Sequence, residues 1–127
     1  MKIIEIDTDC NSELLKVEGD IGDFIRGRLD GYMEVVHPRR LEQPFVMIVD
    51  EEGQLKGLRD SPVGYFFYET DRHGVPIVGN IYIAKIVENP DGDRDIAGLN
   101  DDDMTEFTRL YGCIITRLKV ARRDGII

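Results

Sequence analysis

Five apolar residues in a row, Phe45 to Val49, closed by Asp50, restrict the fold more than any other stretch. An apolar run without alternation suits a strand covered on both faces, at the centre of a sheet. It sits inside a longer unit, Gly31 to Leu58. Tyr32–His37 (YMEVVH) precedes it as a strand stopped by Pro38, Arg39 and Arg40 fall in the loop between, and Pro44 leads into the run. Beyond Asp50 an acidic turn, Glu51-Glu52-Gly53, is followed by Leu55–Leu58, expected to return under the sheet. Gly53 is expected to supply the positive φ of a hairpin turn, and Gly57 to end the segment.

The flanking chain supplies partners for that sheet. Met1–Asp7 and Glu13–Glu18 read as two strands able to pair as a hairpin, with Gly19 ending the second. Asp20 is a good N-cap for a short helix whose apolar face is Ile21, Phe24, Ile25 and Leu29, with Gly31 as its C-cap. Gly64–Glu69 (GYFFYE) reads as an aromatic strand, Thr70–Gly74 as a turn, and Val75–Glu88 as a further strand with a bulge near Gly79 and Asn80. Asn89–Gly98 reads as an acidic loop. Its alternate aspartates, Asp91, Asp93 and Asp95, imitate a calcium loop, but Ile96 stands where glycine is required and Asp102 where a bidentate glutamate is, so no metal is expected.

The last element is the most regular. Asn100 caps it, Asp101–Asp103 load the first turn, and Arg117, Lys119, Arg122 and Arg123 load the end, which complements the helix dipole. Met104, Phe107, Tyr111, Ile114, Leu118 and Ala121 form one stripe, widened by Leu110 and Ile115, in a helix from Asp101 to about Arg122. Such a helix exceeds what a small sheet needs. Either its far half packs on the same sheet, or Tyr111, Ile114, Ile115 and Leu118 dock a second copy or a partner helix. Together these segments predict a single α+β domain over residues 1–127: two layers, a mostly antiparallel sheet of five or six strands, a short helix in the N-terminal half and a long C-terminal one.

Charge narrows the function classes. Twenty-five acids against sixteen bases give a net charge of −9, which repels phosphate backbones and disfavours direct binding of nucleic acid. No apolar run approaches the length of a membrane span, and MKIIEIDTD lacks a signal-peptide core, so the cytoplasm of a bacterial cell is the expected compartment. Cys10 and Cys113 belong to no metal or redox motif and are expected as free thiols. His37 and His73 are the only near-neutral bases, and neither lies in a catalytic motif. Neither an enzyme nor a cofactor is expected.

Several short motifs resemble those of a family of small domains of unknown function from bacteriophages and conjugative elements. Asp30-Gly31-Tyr32-Met33-Glu34 is similar to its G-G-Y-I-E element, and Asp50 to Leu58 (DEEGQLKGL) to N-E-E-G-K-L-K-G-L. Ile77–Asn80 loosely matches an I-x-G-T strand start, and Leu99–Met104 an L-T-D-E-E-I ending. Arg59-Asp60-Ser61-Pro62 departs from the usual continuation, and the final helix runs on past the usual end. The resemblance implies a fold and a mobile-element setting, and it assigns no site.

Two functions follow as expectations. The first is a non-catalytic protein of a phage or plasmid that binds and inhibits a host protein, such as a defence component. An acidic surface that mimics DNA is one version of it. The second is a binder that sequesters a nucleotide-like signal through loop cations and aromatics. The candidate residues are His37, Arg39, Arg40, Lys56, Arg59, Tyr65, Arg72 and His73. Convergence of Arg39, Arg40, Arg59 and Arg72 around one cavity would favour the ligand; their scatter would favour the protein partner.

Overall fold

A computed structural model describes residues 1–127, with the side chain of His73 outside the described set. The strands are β1 (Lys2–Ile6), β2 (Ser12–Lys16), β3 (Met33–Val36), β4 (Phe45–Asp50), β5 (Ile81–Glu88) and β6 (Arg94–Ala97). The helices are α1 (Ile21–Leu29), α2 (Pro62–Tyr68), α3 (Thr70–His73) and α4 (Asp101–Arg123). The strands form one antiparallel sheet in the order β2-β1-β5-β4-β3, with β6 continuing the β1 side of β5.

Every residue of β4 is buried, because helices cover both faces of the sheet there. Phe45, Met47 and Val49 point into one core with Val63, Phe67, Phe107, Tyr111 and Ile115 from α2 and α4. Val46 and Ile48 point into the other, with Ile21 and Ile25 of α1 and Tyr82 and Ala84 of β5. The α+β class, the antiparallel sheet and the long terminal helix are as the sequence predicts. The helices divide between the faces, which adds a layer to the two expected.

Helix α4 starts at a capping box in which Asn100 and Asp103 each accept the other's backbone N–H at 2.8 Å. Its buried positions, Phe107, Tyr111 and Ile115, face its own sheet, and Ile114 and Leu118 are half-buried against the same core. The Tyr111 hydroxyl also accepts from the Glu42 N–H at 2.7 Å. Tyr111 and Ile115 are therefore buried against their own domain, which corrects their assignment as exposed docking residues. Near the far end Arg122, its side chain only 6% exposed, donates to Thr8 O at 3.0 Å and to Asp60 through both backbone and carboxylate. That clamp holds the distal half of α4 on the domain.

Several local expectations change, among them the Thr70–Gly74 turn, which holds α3, and the Val75–Glu88 strand, which starts only at Ile81. The expected aromatic strand Gly64–Glu69 is instead helical as far as Tyr68, because Ser61 caps it (Oγ accepts from Gly64 N at 3.0 Å) and Pro62 opens the first turn; that start signal overrides the β preference of the aromatics. Asn89–Gly98 is a hairpin, since β6 pairs with the end of β5 across the Asp91-Gly92 turn, where Gly92 has φ 90°. Leu55 is 89% and Leu58 38% exposed, because residues 51–58 wind through successive turns and do not re-enter the core. Gly57 (φ 67°) takes the left-handed position there, and a side chain at Gly53 would instead meet Val78 Cγ2 at 2.8 Å. At the end of α1 the left-handed cap is Asp30 (φ 54°), one residue before Gly31.

Candidate functional site

Two segments distant in sequence meet beside the α2–α4 core. The β3–β4 connection delivers Arg39 and Arg40; the α2–α3 junction delivers Glu69 and Arg72. Glu69 is the left-handed cap of α2 (φ 54°) and is 5% exposed, so its carboxylate is fixed from both ends. Arg39 Nη2 donates to Glu69 Oε1 at 2.8 Å, Arg40 Nε lies 3.1 Å from the same oxygen, and Arg72 Nη1 lies at 3.9 Å. Hydrogen bonding from Arg39 holds the Glu69 carboxyl below the usual range against desolvation, and the charges of Arg40 and Arg72 act the same way.

The three guanidiniums differ in how tightly they are held. Arg40 also donates to Phe66 O at 3.0 Å and lies over the Phe66 ring, 5.0 Å from its centroid. It is built into the fold. Arg39 and Arg72 keep side-chain exposures of 69% and 57% and face solvent with most of their donors. From Arg40 an open groove of about 400 Å³ runs along α2 towards the end of α4, walled by Tyr65, Phe66, Leu118 and Ile127 with Asp60 and Asp71 on its sides. Three guanidiniums thus gather on one carboxylate, with Asp71 exposed nearby, on a chain whose net charge is −9.

The other candidates lie elsewhere. Arg59 pairs with Asp9 at 2.6 Å, apart from the cluster. Lys56 donates to Asp50 at 2.8 Å and to Leu29 O at 2.8 Å, tying the 51–58 turns to the end of α1; the Asp50 hydrogen bond raises its pKa. Its role is architectural. His37 is exposed beside a separate recess of about 140 Å³ with Gln43, Pro44, Glu88 and Arg94. The side chain of His73 lies outside the described residues. Tyr65 lines the groove, whereas Phe67 is fully buried, edge-on to Tyr111 with ring centroids 5.0 Å apart. Three of the four arginines thus gather around a buried carboxylate, but only Arg40 lines the groove, and Arg59 does not join them.

A second ionic cluster escaped the sequence. Glu5, 7% exposed in β1, accepts from Tyr82 Oη at 2.6 Å and from Arg28 at 2.9 and 3.1 Å. Burial first, and the Glu5 hydrogen bond second, push the Tyr82 hydroxyl up to about 12. All partners are satisfied internally, and the cluster pins α1 to the sheet. Glu5 and Arg28 are 23 positions apart, with no local pattern linking them. Among the described residues no group of three His, Cys, Asp or Glu side chains could hold a metal ion. No helix is long and apolar enough to cross a membrane.

A model of the family described as "Domain of unknown function (DUF3846)" matches residues 1–112. The matched span holds all six strands, α1 to α3 and the first half of α4, and with them Arg39, Arg40, Glu69 and Arg72. Leu118 and Ile127, which close the far end of the groove, lie beyond it. No curated protein and no solved structure matches the chain.

Proposed function

We propose that this chain, which belongs to the DUF3846 family, is a non-catalytic binding protein that takes an acidic segment with an apolar anchor from a protein partner. The observation that carries this is the gathering of Arg39 and Arg72, both largely exposed, on the Glu69 carboxylate they share with Arg40, which itself lines a groove walled by Tyr65, Phe66 and Leu118. Arginine and aromatic side chains dominate the energetics of protein interfaces, and a carboxylate that pre-orients guanidiniums lowers the ordering cost of recognition. The partner's acids would meet the guanidiniums while an aliphatic or aromatic side chain enters the groove. The mobile-element setting implied by the motif resemblance points to a host protein, for instance a defence component, with inhibition as the result of binding. Affinity purification from a bacterial host, run in parallel with wild type and Arg39→Ala/Arg72→Ala, tests this. A protein retained by wild type and lost with the variant supports the proposal, and retention indifferent to the substitutions counts against it.

The same guanidiniums give the second reading, a nucleotide-like ligand, its footing. The groove is open, and besides Arg40 its charged lining is Asp60 and Asp71, which repel a phosphate, so we rank that reading lower. Thermal-shift measurements with cyclic and linear nucleotides decide between them. Stabilisation by a nucleotide that vanishes in Arg39→Ala/Arg72→Ala would reverse the ranking.

A further inference from the structure

We propose that the outer edge of β3 is a strand-addition site for an extended, basic segment of a partner protein. This rests on the chain being a protein-binding module, and it uses a surface separate from the arginine cluster.

Strand β3 pairs only with β4. The Glu51 N–H donates to Tyr32 O at 3.1 Å, and the register pairs Glu34 with Val49 and Val36 with Met47. Antiparallel ladders alternate, so Tyr32, Glu34 and Val36 turn their main-chain groups towards β4. Met33 and Val35 turn theirs outward, where nothing among the described residues bonds them. Two outward residues offer four main-chain hydrogen bonds to an incoming strand. Exposed edges are ordinarily protected by lysine, proline or a bulge. Met33–Val36 has none of these, and its one charge is Glu34. The opposite edge, β2, carries exposed Glu13 and Lys16.

The side-chain chemistry beside the edge selects the occupant. A recess of about 90 Å³ lies against β3 on the α2 face, walled by Val36, Tyr68, Val75 and Pro76, with Glu34 and Glu51 exposed at its rim. Asp50, also on its wall, is already held by Lys56 and the Glu52 N–H. A lysine or arginine on the added strand would lay its aliphatic stem in the recess and its charge between the two free acids. The net charge of −9 favours the same partner. A second copy fits worse, since edge-to-edge pairing brings two such acidic rims together.

The probe is a library of end-blocked hexapeptides of Val and Thr with Lys, Glu or Ala fixed at alternate positions, measured by fluorescence anisotropy. Lys-bearing members are expected to bind about tenfold tighter than Glu-bearing ones, by charge complementarity. Val35→Pro removes an outward donor without touching the β3–β4 ladder, and is expected to weaken binding at least tenfold, as is Glu34→Lys. N-methylating alternate peptide residues should abolish binding to the unaltered protein, which tests the site even if a variant folds poorly. The amides of Met33 and Val35 should exchange more slowly with peptide bound. No binding at millimolar peptide, binding indifferent to Val35→Pro and to N-methylation, or self-association of the wild type through this edge would each overturn the proposal. Arg39→Ala/Arg72→Ala should bind these peptides as wild type does, so the two surfaces succeed or fail separately.

Discussion

Glu69 earns its burial by organising charge. Its carboxyl is held low in the folded chain by Arg39, so its contribution is present above the ordinary carboxylate range and is lost as pH falls through the lowered value. Glu69→Gln should therefore flatten the acid limb of stability, measured by urea unfolding from neutral pH down through that range. Part of the limb will remain, because Asp103 is also held low: burial pulls its carboxyl up, but Lys85 and the Asn100 N–H outweigh it. Tyr82 runs in the opposite direction. Its raised hydroxyl contributes stability that is complete below about 10 and disappears as pH rises towards about 12. Tyrosinate absorbance should show a last step near 12 in the native protein, and Tyr82→Phe should remove it. Neither device is written in local sequence. Arg39 and Glu69 are 30 positions apart and Glu5 and Tyr82 are 77, so only the sheet topology brings them together.

Among the elements, legibility follows how local the deciding signal is. The α4 stripe, its cap and the unbroken β4 run are periodic or continuous over many residues, and the structure has them where the sequence puts them. Helix α2 depends on two residues, Ser61 and Pro62, whose start signal competes with four aromatics that favour strands. Strand β6 depends on an Asp-Gly turn within a stretch whose acids suggest a solvated loop. The α2 assignment has a direct test. Ser61→Ala should cost about 1 kcal/mol through the lost cap. Gly64→Ala should cost more, about 1–3 kcal/mol by overpacking, because the new methyl would lie 2.5 Å from Ile77 Cγ2. If 60–69 were a strand instead, Ser61→Ala would be nearly neutral in thermal or urea unfolding.

For the whole molecule, packing accounts for how an acidic chain gathers three arginines at one corner. The loop before β4 enters at the Phe45 end of that strand, and α2, packed on the same core as Phe45, brings Glu69 to it, where Arg39, Arg40 and Arg72 share one carboxylate. Other cations are tied into the fold: Arg28 pairs with Glu5, Lys56 with Asp50 and Arg122 with Asp60. Binding at the corner should weaken steeply with salt, because Arg39 and Arg72 are exposed and their field is screened within about 8–10 Å at ordinary ionic strength.

The central claim is that this corner recognises acidic, apolar-anchored protein segments. Display selection of random peptides on the wild-type protein, with Arg39→Ala/Arg72→Ala as the counter-target, tests it most directly. The account predicts enrichment of sequences pairing Asp or Glu with a Leu- or Phe-like anchor, and loss of that enrichment on the variant. Enrichment shared equally by wild type and variant, or a consensus without acids, would contradict it.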